Sequence, residues 1–170
     1  MAYEYGCLMV DFKIPNWNKL TNMINKDDIY NDETGDYGLE TEPHCTVVFG
    51  FDKKYTHKDI IKYISIDPKD ISVRVFGVDV FSNGDYDVVK LNCESEQLSR
   101  LNRVFMEKEK FDIHTDFPDY KPHMTVAYTK PGTGKKYVGK FSNSVVIKPY
   151  RYSFSHPTNK KVHFQNNMKK

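Results

Sequence analysis

The five residues Pro43-His44-Cys45-Thr46-Val47 recur 79 positions later as Pro122-His123-Met124-Thr125-Val126. In a β-strand, residues i and i+2 share a face. Each phrase therefore points an imidazole and a hydroxyl one way and its valine the other. Two such strands brought together line one cavity with two histidines and two threonines, a set able to move protons around a phosphate without a metal. With 6 His and 10 Thr in 170 residues, a shuffled chain holds only about 0.35 H-x-T triplets. His156-Pro157-Thr158 is the background case, with proline inside the triplet and no β-forming run after it. The plain alternative is a histidine merely hydrogen-bonded on a sheet surface. A matching Pro before and Val after, twice, argues against coincidence.

The rest of the chain narrows the class. A net charge of +2, from 25 basic and 23 acidic residues, is too balanced for a protein that lives on long nucleic acid or an anionic membrane. Cys7, Cys45 and Cys93 are odd in number and lack C-x-x-C spacing, so no disulfide framework or zinc knuckle is expected. The start of the chain lacks a signal-peptide pattern, and no apolar run reaches membrane-spanning length. The expectation is a soluble cytoplasmic protein, a monomer by default, with residues 1–170 forming one bilobal domain.

Periodicity places the motifs. Residues 5–14 read as a strand, and Pro15-Asn16 opens a short helix with Trp17, Leu20, Met23 and Ile24 as its apolar stripe. Residues 26–42 form an acidic loop, a lid or wall for the first motif strand at 44–51. Thr56-x-x-Asp59 resembles a capping box before Ile60, Ile61 and Ile64. Residues 71–81 and 86–93 form a hairpin about Asn83-Gly84. Ser95 caps a helix to about Lys110, with Leu98, Leu101, Phe105 and Met106 inward. A loop over 111–122 leads to the second motif strand at 123–129, and further strands follow over 137–148 and 150–155. Each half thus runs strand, helix, loop, motif strand. This predicts an α+β fold of two pseudo-twofold-related lobes, antiparallel sheet plus helices, with the motif strands facing across a central groove.

Histidine titrates near neutrality, so one of the pair can accept a proton while the other donates. The hydroxyls of Thr46 and Thr125 suit the nonbridging oxygens of a phosphodiester. The repeated H-x-T strands resemble the two-histidine (2H) phosphoesterase superfamily. More narrowly, the stretches Tyr37 to Gly50, Tyr86 to Leu91 and Phe117 to Tyr128 are similar to the phage anti-CBASS phosphodiesterases, over roughly residues 5–130. The resemblance implies the bilobal fold, catalytic roles for His44, Thr46, His123 and Thr125, no metal or other cofactor, and a small cyclic oligonucleotide immune signal as substrate. It also implies expression in the host bacterial cytoplasm. On that reading a 2′-OH attacks the adjacent 3′–5′ phosphate. Two rivals use the same residues: a 2′,3′-cyclic phosphodiesterase or 2′–5′ oligonucleotide processor, and a sponge that binds the nucleotide without cleaving it.

A cyclic di- or trinucleotide also needs base platforms. Phe12, Phe81 and Tyr152 are the candidates, each weighed against an ordinary place in the core. Arg151 is expected as a solvated surface residue rather than a phosphate contact. Gly132-Thr133-Gly134-Lys135 lacks the spacing of a phosphate-binding loop. His57-x-Asp59 and His114-x-Asp116 read as surface features rather than metal ligands, and Lys53-Lys54 and Lys169-Lys170 as solvated charge.

Overall fold

The protein is described by a computed structural model covering residues 3–117 and 119–166. Pro118, in the loop before the second motif, and Lys169-Lys170 lie outside the described residues, as do Met1 and Ala2. Among the described residues the elements run β1 (Gly6–Asp11), α1 (Trp17–Thr21), β2 (His44–Phe51), α2 (His57–Ile61), β3 (Val73–Ser82), β4 (Asp87–Glu94), α3 (Glu96–Met106), β5 (His123–Thr129), β6 (Gly139–Ile147), β7 (Arg151–Ser155) and β8 (Lys161–Phe164). Local chemistry sets several boundaries. The Thr56–Asp59 capping box is formed at α2. The Ser95 hydroxyl accepts from the Leu98 amide at the start of α3. Gly84, at φ +98°, turns the β3–β4 hairpin.

Two four-stranded antiparallel sheets result, ordered β2-β1-β7-β8 and β5-β4-β3-β6. Each places its motif strand at one edge beside its central pair, which is the expected pseudo-twofold. The fold is α+β and bilobal. The lobes do not follow the chain's halves, however. The first sheet takes β1 and β2 from the start and β7 and β8 from the end, while the second is made of everything between. The short β8 escapes sequence reading because Lys-Val-His-Phe alternates over only four residues.

The helices are exchanged as well. Leu20 of α1 lines a depression with Val75, Leu91, Val145 and Ile147 of the second sheet. The α3 helix packs on β2, where Phe105 meets Phe51 edge-on at 5.6 Å and the Asn102 amide donates to the Val47 carbonyl at 2.8 Å. One continuous apolar cluster joins both sheets. Both helices are shorter than periodicity predicts. The α1 helix stops at Thr21, so Met23 is exposed, and α3 stops at Met106, also exposed, because Phe111 turns in to reach Phe51 and Tyr55.

The two loops before the motifs hold the lobes together. Residues 28–40, leading to β2, close the outer edge of β5: Glu40 donates to Val126 at 2.9 Å, Tyr128 to Gly38 at 2.8 Å, and Tyr30 to Tyr128 at 3.0 Å, all through backbone groups. The loop leading to β5 closes β2 in the same way, with the His114 amide 2.8 Å from the Gly50 carbonyl and the Tyr120 hydroxyl donating to the Thr46 carbonyl at 2.8 Å. Each motif strand is thus sealed by the approach to the other. The loop expected over 26–42 as a lid or wall forms this clasp. Gly50 permits it: its φ is +112°, and a Cβ there would stand 2.0 Å from the His114 carbonyl oxygen. Gly50→Ala is expected to lower stability by about 2–4 kcal/mol in equilibrium urea unfolding, and a loss below ~0.5 kcal/mol would show that the close approach is dispensable.

Candidate active site

Strand register builds the site from both edges. In β2, His44 and Thr46 are half-buried between the buried Pro43, Cys45 and Val47. In β5, His123 and Thr125 are half-buried while Met124 and Val126 point into the core. The prolines anchor the start of each motif strand: the Phe12 amide donates to the Pro43 carbonyl at 2.9 Å, and the Cys93 amide to the Pro122 carbonyl at 3.1 Å. The β2 and β5 strands pack against one another, so the four polar side chains named by sequence lie at one junction.

The two histidines are held identically. His44 Nδ1 lies 2.8 Å from the Glu42 carbonyl oxygen, and His123 Nδ1 lies 3.0 Å from that of Lys121. A carbonyl only accepts, so each Nδ1 carries the proton and each Nε2 is the working nitrogen. Nε2 accepts a proton when the ring is neutral and donates one when it is charged. His123 has its pKa lowered, first by burial, which disfavours the imidazolium, and then by the positive charges of Lys90 and His44.

Lys90 has no signal in the sequence that would single it out. It stands opposite Thr125 in the β4–β5 register, with Nζ 2.9 Å from Asn92 Oδ1 and 3.9 Å from Asp79 Oδ2. On the other side, Cys7 Sγ lies 3.7 Å from Thr46 Oγ1, its thiol pushed up to about 11 by burial. Sequence reasoning also misses the ring cluster of Tyr30, Tyr37, Tyr86 and Tyr128, whose centroids lie 4.9–5.5 Å apart. Val126 is the extra residue of a β5 bulge, which returns Tyr128 to the face of Thr125. No sequence period reveals that.

The three aromatic platforms fare differently. Phe12 is buried at 4% exposure, and Tyr152 at 0% stacks on Phe164 and gives its hydroxyl to the Ile66 carbonyl at 2.9 Å. Neither has a face open to a base; both belong to the core. Phe81 is exposed and lies two residues from Asp79, hence on the face that carries Lys90. Arg151 is not a solvated surface residue: its Nε is 2.7 Å from Asp11 Oδ2. His57 and His156 line a depression with Phe154, which points into the core from β7, and His114 stacks on Tyr5 at 4.9 Å. Among the described residues, no three His, Cys, Asp or Glu side chains gather to hold a metal, and no helix is long and apolar enough to cross a membrane.

With this geometry in place, comparison with known proteins adds three findings. The sequence model of the family described as anti-CBASS protein Acb1 matches residues 10–154, carrying the likeness well past residue 130 and through β7 nearly to its end. Among solved structures, Usb1 of Kluyveromyces marxianus superposes at a TM-score of 0.60, covering 96% of this chain and 99% of that one at 9% identity. That is a likeness of fold. No curated protein matches the sequence.

Lys90→Gln removes a positive charge that disfavours the protonated ring of His123, so that ring is expected to titrate at higher pH than in the unmodified protein. Histidine ring NMR against pH checks this, and an unmoved His123 would detach Lys90 from the site.

Proposed function

The chain belongs to the anti-CBASS protein Acb1 family, and on that premise we propose that it is a metal-independent phosphodiesterase that opens cyclic di- or trinucleotide immune signals at a 3′–5′ linkage. The observation that carries this reading is the matched pair of histidines, each with Nδ1 tied to the carbonyl two residues before it and Nε2 left for chemistry. A protein that only bound the nucleotide would have no use for two proton carriers in the same tautomer.

The depressed His123 is neutral at physiological pH and serves as base; His44 serves as acid. His123 Nε2 takes the proton of a ribose 2′-OH as O2′ attacks the adjacent phosphorus. The P–O5′ bond breaks as O2′–P forms, and His44 Nε2 gives its proton to the departing O5′. The ring opens to a linear product ending in a 2′,3′-cyclic phosphate. Thr46 and Thr125 donate to the nonbridging oxygens as charge accumulates there, and Lys90 adds a positive charge on the same side. Phe81 is the remaining candidate for stacking a base.

Purified protein in excess EDTA is expected to open cyclic triadenylate or 3′,3′-cyclic dinucleotides catalytically, with products resolved by mass spectrometry. His44→Ala or His123→Ala should lower kcat by about 10³-fold or more, since acid and base act as a unit. A substrate with 2′-deoxyribose at the scissile position should resist cleavage; its rapid turnover would rule out the internal nucleophile. Turnover confined to adenosine 2′,3′-cyclic phosphate or linear 2′–5′ oligoadenylate would make the protein an RNA-end enzyme. Tight binding without turnover would make it a sponge.

The pH profile supplies a separate check. A base works only when deprotonated, so kcat/KM should rise with pH through the lowered pKa of His123. The acidic limb is therefore expected below the ordinary histidine value of about 6.5, and to move upward in Lys90→Gln.

A further inference from the structure

The C-terminal hairpin of β7 and β8 contributes a second set of charged side chains to the face that carries His44 and Thr46. Register fixes this. Asp11 of β1 pairs with both His44 and Arg151, Met9 pairs with Thr46 and Ser153, and Ser153 pairs with His163. Ser155 pairs with Lys161. Residues directly opposite share a face, so Arg151, Lys161 and His163 stand on the same side of the sheet as the first motif.

The cluster is built rather than incidental. Asp11 is 4% exposed and Ser153 fully buried. The Asp11 carboxylate accepts from Arg151 Nε at 2.7 Å and from the Ser153 hydroxyl, and lies 3.7 Å from His163 Nδ1. Ser153 spends its one proton on Asp11, so it accepts from His163 Nδ1 at 2.7 Å. The ring therefore turns Nε2 away from the carboxylate. The Arg151 guanidinium lies over the Tyr150 ring at 4.9 Å and its charge acts on the nearby Glu42 carboxylate, while among the described residues its terminal nitrogens make no hydrogen bond. Lys161 donates to Glu42 at 2.8 Å, the residue whose carbonyl orients His44. Burying a carboxylate beneath these groups is costly unless it is paired. Pairing through only the Nε edge of Arg151 leaves the fork open for bidentate recognition of an anion.

We infer that Arg151, Lys161 and His163 form a subsite for a second, non-scissile phosphate of the substrate, two to three strand spacings, roughly 10–15 Å, from His44. The inference rests on the phosphodiesterase reading above and deepens it. A substrate that fills both sites carries at least two phosphates, which suits a cyclic oligonucleotide and excludes a mononucleoside 2′,3′-cyclic phosphate from full recognition. Arg151 lies within the stretch matched by the family, and Lys161 and His163 lie beyond it.

The test is Lys161→Gln/His163→Gln, which alters an edge strand and leaves the Asp11–Arg151 pair intact; Arg151→Lys, which keeps the charge but loses the fork, is the second variant. The readout is kcat/KM for cyclic triadenylate divided by kcat/KM for the one-phosphate dinucleotide ApA. The ratio is expected to fall ~10-fold or more through KM in both variants, as for loss of charge-assisted phosphate contacts. A ratio unchanged within twofold overturns the subsite. If the unmodified protein cleaves neither substrate, the phosphodiesterase reading fails. Equilibrium binding of labelled cyclic triadenylate then decides the subsite alone: a tenfold weaker Kd in the variants sustains it, and equal Kd values remove it.

Discussion

The constraint on which the structure depends is that both motif strands are edge strands. An edge strand presents unpaired amides and carbonyls, which must be satisfied or left open to unwanted pairing. Here the loop before each motif satisfies the edge of the other: residues 28–40 on β5 and residues 112–114 with Tyr120 on β2. The exchange ties the sheets edge to edge and fixes where His44 and His123 stand relative to each other. It also explains why α1 and α3 each pack on the sheet of the other half. A twofold arrangement in which each loop closed its own strand would satisfy the same backbone groups but leave the lobes free to part.

Each sheet carries an anchored cation on the face of its motif strand. Lys90 is held by Asn92 and Asp79 on the second sheet, and Arg151 by Asp11 on the first. In each case a carboxylate fixes a long, flexible cation, reducing the side-chain entropy lost when an anion arrives. The cost of positive charge near a histidine appears at His123, whose protonated form is disfavoured by burial and by Lys90. That cost is useful if His123 is the base. The two histidines are matched in tautomer, and only His123 stands beside Lys90, which gives a pseudosymmetric site the asymmetry that the proposed acid–base chemistry requires.

Much is legible in the sequence. The bounds of β2 and β5, the capping box at Thr56, the cap at Ser95 and the turn at Asn83-Gly84 all follow from short-range preferences, which operate over a few residues whatever surrounds them. The coincidence of two motifs is enough to predict two related lobes facing one another. The aromatic platforms show the limit. Phe12 and Tyr152 have the chemistry of a base platform but lie in the core, because burial is a property of neighbours rather than of residue type. Arg151 reads as solvated for the same reason: its partner Asp11 is 140 residues away.

The sequence by itself determined the candidate reacting groups and the strands that carry them, since a period of two residues alone decides that His44 and Thr46, or His123 and Thr125, share a face. Tertiary structure alone decided where Lys90 and Tyr128 stand, and that the last strands return to the first sheet to place Arg151 and His163 on the face of the first motif. These depend on register between distant segments, on a bulge at Val126 and on the topology of return. Each is set by the free energy of closing the whole core, which no local stretch of chain encodes.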